Sequence, residues 1–281
     1  MEVNGYKIGP DANLHKATLS NVDLSDLEIY NANLSYANLS NSNLTRANLT
    51  RADLSNANLS NANLSYANLG FAKMAGATLV LANLSNARLE VADVAGVNWR
   101  EANLSGANLT NVDLSRAYLQ HLNLAGANLT KVKLDGANLT SANLTGANLT
   151  GTNLANAIMA NANLVKAKLV GASLAESNFG GLKLANTDLT KADLTKAKLH
   201  AADLSGANLK LANLRGADLS DADLSYADLC GADLSDVNLK GANLKHANFR
   251  EANLTHANLS EANTINTKFF GAIMPSGTIH D

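Results

Sequence analysis

Side chains that could bind metal ions or perform catalysis are present in this chain of 281 residues, but they are scattered. Six histidines stand far apart, and the two nearest, His246 and His256, are separated by ten residues. A metal site needs two to four ligands that converge, so these histidines predict none. The single cysteine, Cys230, has no lysine or arginine within residues 216–239 that would favour its thiolate. We therefore expect an unreactive thiol.

A five-residue unit repeats through almost the whole chain. With the central residue as the phase marker, 53 consecutive units run from Leu14 to Met274 without a slip in register. Leucine fills 43 of the 53 centres, and alanine fills 40 of the 53 positions two residues before them. Asparagine or aspartate usually lies between the two, and serine or threonine usually follows the leucine. An unbroken fixed period of this kind predicts a solenoid.

The spacing within each unit predicts an extended backbone that turns once per unit. Side chains two residues apart in an extended chain point to the same side, so alanine and leucine face inward together. The next small residue comes three places after leucine, and the glycine, asparagine, aspartate or serine found at this break suits a tight turn. A helix is excluded, because a leucine at every fifth residue would wind around all of its faces.

Outward charges indicate how many units form one coil. Seven lysines and arginines occupy the position just before a centre, and five of them have an aspartate in the same position four units away. At a spacing of five units three of them do, and at a spacing of three units none does. Opposite charges on neighbouring rungs are favourable, so four units per coil fit best. One column would then place Lys183, Asp203 and Asp223 on successive coils.

The unit resembles the A(D/N)LXX motif of the pentapeptide-repeat family, and the resemblance covers residues 12–274. It implies an all-β fold, a right-handed quadrilateral β-helix with four units in each coil of 20 residues and roughly 13 coils. The rod would be about 60 Å long at ~4.8 Å per rung. The segment from Ala272 to His280 resembles the closing segment of many cyanobacterial members.

Catalysis is not expected from such a rod. Acidic residues are numerous, but a catalytic carboxylate needs a concave and partly desolvated site, and a regular repeat without loop insertions offers no cleft. The chain also has no glycine-rich phosphate loop and no nucleophile elbow. We expect a protein that is not an enzyme and that binds no cofactor and no metal.

Three segments follow from where the repeat begins and ends. Residues 1–11 should cap the first coil, because an open solenoid end exposes strand edges and core. Residues 12–274 should form the β-helix, and residues 275–281 a C-terminal tail or cap. Three outward residues make the C-terminal end unusually apolar: Ile265, Phe270 and Ile273. They fit either a cap or an end-to-end dimer contact, so the chain is expected to be a monomer or such a dimer.

Apolar residues in other outward positions are the candidate partner contacts. Phe71 and Val91 are four units apart and should stack at one corner, whereas Leu81 should lie at the diagonally opposite corner. Apolar groups on an otherwise polar surface mark interaction sites. The sequence therefore predicts a non-catalytic scaffold rod that presents side-chain columns to an unidentified protein partner. Trp99 occupies an inward position, and we expect it to be buried with local swelling of its coil.

Two alternative functions remain open. The family resemblance implies a DNA-mimic modulator of DNA gyrase, although a net charge of −2 lacks the strong acidity of a duplex mimic. The second alternative is recognition of ice or another repetitive surface by stacked threonines. Thr110, Thr130 and Thr150 follow each other at intervals of four units and should share one face.

Composition bounds the partners and the compartment. The chain lacks the basic character of a nucleic-acid binder, so no direct nucleic-acid binding is expected. No apolar run approaches the roughly 20 residues of a membrane span, and the first residues do not resemble a signal peptide. A single cysteine fits a reducing compartment, and we expect a cytoplasmic protein.

Overall fold

A short hairpin begins the chain in the computed structural model, which describes all 281 residues. Strands β1 (Glu2–Val3) and β2 (Tyr6–Lys7) pair antiparallel. Asn4 and Gly5 between them have positive φ angles of 51° and 79°, as tight two-residue hairpin turns require. Val3 and Tyr6 pack against the interior of the coils that follow.

The remainder of the chain is a right-handed quadrilateral β-helix without any helical segment. Single parallel bridges join residues that are 20 apart in sequence, from Asn13–Asn33 at one end to Asn253–Ile273 at the other. Each bridge lies at the outward position just before a centre, so the bridges follow four faces of the rod. The predicted four-unit coil is confirmed.

Each corner is a turn whose third residue has left-handed backbone. In the first unit the Ala17 N–H donates to the Leu14 carbonyl at 3.0 Å, and Lys16 between them has a φ angle of 57°. Asparagine and aspartate tolerate this conformation better than other residues that carry a Cβ, which explains why they are common at the corners. Phe71 and Val91 adopt it as well, with φ angles of 59° and 60°.

The outward asparagine or aspartate forms hydrogen bonds that stabilise both the turn within its unit and the contact between coils. Asn33 Oδ1 accepts hydrogen bonds from the backbone N–H of Ser35 at 3.1 Å and from its hydroxyl at 2.6 Å. Between coils, Asn43 Nδ2 donates to Asp23 Oδ1 at 2.9 Å. The repeated order of asparagine, leucine and serine or threonine is therefore a hydrogen-bonding pattern built around an inward leucine.

Alanine and leucine fill the interior, where 92 buried apolar residues form one continuous cluster. Burial of this apolar column is the main favourable contribution, since no strand in the coils is longer than a single bridge. Trp99 lies within it and is 2% exposed. Its predicted burial is confirmed.

The ladder opens beside Trp99 on two adjacent faces. In regular coils the centre and corner N–H groups donate to the next coil, as those of Leu54 and Asn56 do at 2.7 and 2.9 Å. Between residues 94–101 and 113–120 these hydrogen bonds are absent, and the two corresponding bridges are missing. The local distortion that we expected at the Trp99 coil is therefore a loss of hydrogen bonds and bridges to the next coil.

Candidate functional site

Phe71 and Val91 form an apolar corner on successive coils. The Phe71 side chain is 54% exposed and that of Val91 47%. Phe71 N–H donates to the carbonyl of Glu90, the residue before Val91, at 3.0 Å, which fixes the two side chains one coil apart. Arg51 continues the column, and its guanidinium carbon lies 5.7 Å from the centre of the Phe71 ring. An exposed cation–π contact of this kind contributes about 0.5–1 kcal/mol.

Glu90 borders this corner and is more buried than most charged residues of the surface. Its side chain is 22% exposed, and its Oε1 atom accepts from Arg88 Nε at 3.2 Å and from Asn108 Nδ2 at 2.8 Å. The Oε2 atom is buried and has no hydrogen-bond partner. The corner thus combines an aromatic ring, an aliphatic side chain and two arginines with one half-satisfied carboxylate.

Leu81 does not join this corner. It is 52% exposed and also has a left-handed backbone, but it occupies the diagonally opposite corner of the same coil, two units after Phe71. The three predicted contact residues are all exposed, and the structure brings only Phe71 and Val91 together.

The C-terminal end carries the second predicted set of contacts. Ile265, Phe270 and Ile273 are 58%, 66% and 37% exposed. The last residues fold back as a hairpin in which Ile273 pairs antiparallel with Ile279, itself 67% exposed. The Met274 N–H donates to the Thr278 carbonyl at 2.7 Å, whereas the N–H groups at the other three centres of the last coil have no partner in the following chain. These centres are Leu259, Thr264 and Phe269.

Another exposed apolar pair was not among the predicted contacts, although Ile158 is outward in the sequence pattern. Tyr118 and Ile158 occupy the outward position usually held by asparagine, are 77% and 53% exposed, and share one column with Asn138 between them. The signal was available, because both depart from the outward consensus and are separated by two intervals of four units.

The surroundings of Cys230 correct one interpretation. A window along the sequence suggested that no basic residue accompanies it, but the neighbours of a residue in this fold lie four units away along the chain. Lys210 and Arg250 occupy the positions before and after Cys230 in its column. Lys210 Nζ contacts Asp228 Oδ2 at 3.0 Å, and hydrogen bonding to this carboxylate raises the pKa of the lysine. The argument for an unreactive thiol from missing cations was therefore wrong.

The stacked threonines are internally bonded. Thr110 Oγ1 donates to Asn108 Oδ1 at 2.6 Å and accepts from Asn128 Nδ2 at 3.1 Å, and Thr130 repeats the arrangement one coil on. The three hydroxyl protons of the predicted face are all directed to asparagine oxygens. A ligand at this face would meet hydroxyl groups that already have partners.

Oppositely charged residues stack on successive coils as predicted, but only one of these lysine–aspartate neighbours forms an ion pair. Lys133 and Asp113 form an ion pair at 3.1 Å. The other four lysines with an aspartate one coil away are bridge neighbours of that aspartate without a direct ion pair. They are Lys73, Lys168, Lys183 and Lys198. No group of three or more histidine, cysteine, aspartate or glutamate side chains is arranged to hold a metal ion.

The family profile described as pentapeptide repeats matches overlapping segments of the chain between residues 11 and 274. The chain belongs to the pentapeptide-repeat family. No curated protein matches the sequence at a significant level. No helix in the structure could cross a membrane.

Several solved structures of pentapeptide repeat proteins are similar to this one. HetL from the cyanobacterium Nostoc sp. strain PCC 7120, involved in heterocyst differentiation regulation, is 35% identical, with 88% of this chain and 91% of HetL covered and a TM-score of 0.34. Rfr23 from the cyanobacterium Cyanothece 51142 is 21% identical over 62% of this chain and 91% of its own, with a TM-score of 0.18. QnrB1, a plasmid-mediated fluoroquinolone resistance protein, is 16% identical over 77% and 87%, with a TM-score of 0.26.

Proposed function

We propose that this pentapeptide-repeat protein is a non-catalytic scaffold rod that binds a protein partner through exposed side-chain columns. The observation that carries the proposal is the corner at Phe71 and Val91. It holds two large apolar side chains about half exposed, in a left-handed backbone conformation that a β-branched residue rarely adopts. Every corner of the rod has this conformation, so what sets Val91 apart is its β-branched side chain.

The composition of the corner is that of an interface anchor. Aromatic residues and arginine are enriched among the residues that carry most of the binding energy in protein interfaces, and Arg51 lies against the Phe71 ring. The solenoid holds these groups on successive rungs, ~4.8 Å apart. Little conformational freedom would be lost when a partner binds.

The test compares partner capture by the natural chain and by a variant with Phe71→Asn, Leu81→Asn and Val91→Asn, since asparagine is a common corner residue. Tyr66→Asn is the matched control, because Tyr66 is an aromatic corner residue, 60% exposed, in another column. Immobilised proteins would be exposed to a lysate of the native cell and bound proteins quantified by mass spectrometry. We expect a protein retained by the natural chain and the control and lost by the triple variant. If no captured protein distinguishes the triple variant from the control, the proposal is wrong.

Two measurements separate the alternatives. A gyrase modulator would change the supercoiling of plasmid DNA by purified gyrase, and a surface-recognition protein would give thermal hysteresis in ice. We expect neither, since the net charge is near zero and the threonine hydroxyls are internally bonded.

We further propose that the partner binds in the cytoplasm without nucleic acid or membrane, and that the C-terminal hairpin either covers the last coil or meets a second copy. Light scattering of the natural chain and of Phe270→Asn decides between these roles. A dimer that dissociates on this exposed substitution would assign Phe270 to an interface.

A further inference from the structure

We propose that the open ladder between residues 94–101 and 113–120 binds an extended peptide segment. We call residues 94–101 the first lip of this opening and residues 113–120 the second lip. Between them lies a cleft of about 290 Å³, close to the lower limit of about 300 Å³ for ligand pockets. Gly96 and Trp99 line one side of it, and Tyr118 lies on the other. The cleft borders the corner of Phe71 and Val91 but shares no lining residue with it.

The first lip presents backbone groups that a strand can pair with. Four N–H groups on it donate to no backbone acceptor: those of Val94, Gly96, Trp99 and Glu101. Three carbonyl oxygens beside them accept no backbone hydrogen bond: those of Ala92, Val97 and Ala102. On each of the two open faces an unpaired carbonyl oxygen is followed two residues later by an unpaired N–H, in Ala92 and Val94 on one face and in Val97 and Trp99 on the other. One residue of an added parallel strand would complete each such pair.

The second lip mirrors the first. Its unpaired carbonyl oxygens belong to Asp113, Ser115, Tyr118 and Gln120. Its unpaired N–H groups belong to Asp113, Tyr118 and Asn123. An extended peptide can donate and accept on both of its edges, so one occupant would satisfy groups on both lips.

Trp99 provides an independent observation. Its side chain is 2% exposed, and the indole Nε1–H is buried without a hydrogen-bond partner. A buried indole N–H usually has a partner, and leaving a buried donor unpaired is unfavourable. Because this donor is closed to solvent, a peptide carbonyl in the cleft would accept its hydrogen bond once the side chains that cover the indole move aside.

A second region of the ladder, beside Phe179, also lacks hydrogen bonds between coils, but it is less open than the region beside Trp99. Hydrogen bonds are missing between residues 156–162 and 176–183, but the bridge between Ile158 and Asn178 is retained there. The coils therefore stay in register beside Phe179, whereas beside Trp99 two bridges are lost. The inference rests on the proposed function only in that its ligand is a segment of a protein.

Trp99 is the only tryptophan, so its fluorescence reports directly on the cleft. The probe is a blocked seven-residue peptide of alternating threonine and valine, and its control is the same peptide N-methylated at alternate residues. We expect the first peptide to change Trp99 emission and to slow amide hydrogen exchange at Val94, Gly96 and Glu101. The N-methylated peptide should bind at least about tenfold more weakly, because each methyl group removes one donor.

Two variants locate the effect. Trp99→Leu places the usual centre residue in the cleft, and we expect it to remove peptide-induced protection at Gly96 and Glu101. Phe179→Leu should leave peptide binding unchanged. Before peptide is added, the amides of residues 94–101 should exchange faster than the ladder-bonded amides of Leu54, Asn56 and Leu59.

Three results would overturn the inference. They are equal exchange of these two sets of amides in the free protein, equal binding of the two peptides, and no change in emission or exchange with either peptide. None of them bears on the Phe71 corner, whose variants and capture experiment are separate.

Discussion

Trp99 and Phe179 occupy the same inward column of the solenoid, sixteen units and therefore four coils apart. Both are 2% exposed. Inter-coil hydrogen bonds are missing on the C-terminal side of Trp99 and on the N-terminal side of Phe179. All other centres of this column are leucine or methionine. The two aromatic residues thus mark the two weak points of an otherwise regular ladder.

Size alone does not explain the opening. Phe249 is also an inward aromatic residue, but its N–H donates to the next coil at 2.8 Å and its ring packs 5.5 Å from that of Phe269. Beside Trp99, the alanine position of the same unit holds Val97. The larger indole and the extra methyl groups together overfill one unit, and overpacking of a close-packed interior shifts the backbone.

Repulsion between stacked carboxylates is another candidate cause of the opening. Asp93 and Asp113 are successive residues of one outward column, and their bridge is among those missing. Asp203 and Asp223 have the same relationship, yet their bridge is intact. Repulsion between neighbouring carboxylates therefore does not open the ladder by itself.

Replacing Trp99 should close the ladder. We expect Trp99→Leu to restore the hydrogen bonds from Gly96 and Glu101 to the next coil, and to raise the free energy of unfolding by about 1 kcal/mol as overpacking is relieved. Amide exchange and urea unfolding measure the two effects. The control is Phe249→Leu, which removes a stacked pair from an intact ladder and should lower stability by about 1 kcal/mol. A Trp99→Leu protein with lower stability and unchanged exchange would contradict this account.

The regular part of the fold could be predicted from the sequence because each unit repeats one physical solution. Leucine and alanine specify the interior, and the pairing of Lys183 with Asp203 four units on identifies the coil. The opening was not foreseen in detail, because it depends on how Trp99 and Val97 share the volume of one coil with their neighbours. The residues beside Cys230 were missed for a related reason, since contacts in this fold do not follow distance along the chain.

The left-handed backbone at Val91 should lower the stability of the protein. A β-branched residue at a φ angle of 60° is strained, whereas asparagine tolerates this conformation. We expect Val91→Asn to raise the free energy of unfolding by about 1 kcal/mol, and Leu81→Asn, at an unbranched residue with the same φ angle, to raise it less. Urea midpoints compare the two. A loss of stability in both variants would mean that these side chains serve packing.

Hydrogen-bonded carboxylates should make stability depend on pH. The hydroxyl of Ser25 at 2.7 Å, its N–H and the Asn43 amide lower the pKa of Asp23 below its ordinary 3.8. Burial acts to raise the pKa of Asp218, but hydrogen bonds from Ser220 and Asn238 outweigh it and lower this pKa as well.

Because both pKa values are lowered in the folded state, the unfolded chain binds more protons near pH 4. The contribution of these groups is therefore fully present above that pH and is lost as the pH falls through the folded pKa. We expect Asp23→Asn with Asp218→Asn to lower stability modestly at pH 7, because the contribution of the two carboxylates is lost there, although asparagine accepts the same hydrogen bonds from serine elsewhere in the rod. The loss of stability between pH 6 and pH 3 should be smaller than in the natural chain. An unchanged loss would show that other groups govern acid sensitivity.

The column of Lys183, Asp203 and Asp223 provides the most direct test of coil register in solution. The three residues are successive bridge partners at outward positions, with Asn163 and Asn243 beyond them, and Lys183 is exposed whereas Asp203 and Asp223 are half-buried. Exposed cross-strand pairs contribute roughly 0.2–1 kcal/mol, and like charges cost about as much. Lys183→Asp makes three acidic rungs in a row, so we expect a modest loss of stability that shrinks at high salt.

The reciprocal changes complete the cycle. Asp203→Lys alone relieves Asp223 but sets a lysine against Lys183, and it removes the hydrogen bonds that Asp203 Oδ1 accepts from the Ser205 N–H at 3.1 Å and hydroxyl at 2.7 Å, so it should lower stability. The double variant places the new lysine between the new aspartate and Asp223, so the two changes together should cost less than the sum of their separate effects. Urea midpoints of the four proteins give the coupling energy. Additive effects would mean that residues 183 and 203 are not neighbours in solution, and a coil of four units would then be wrong.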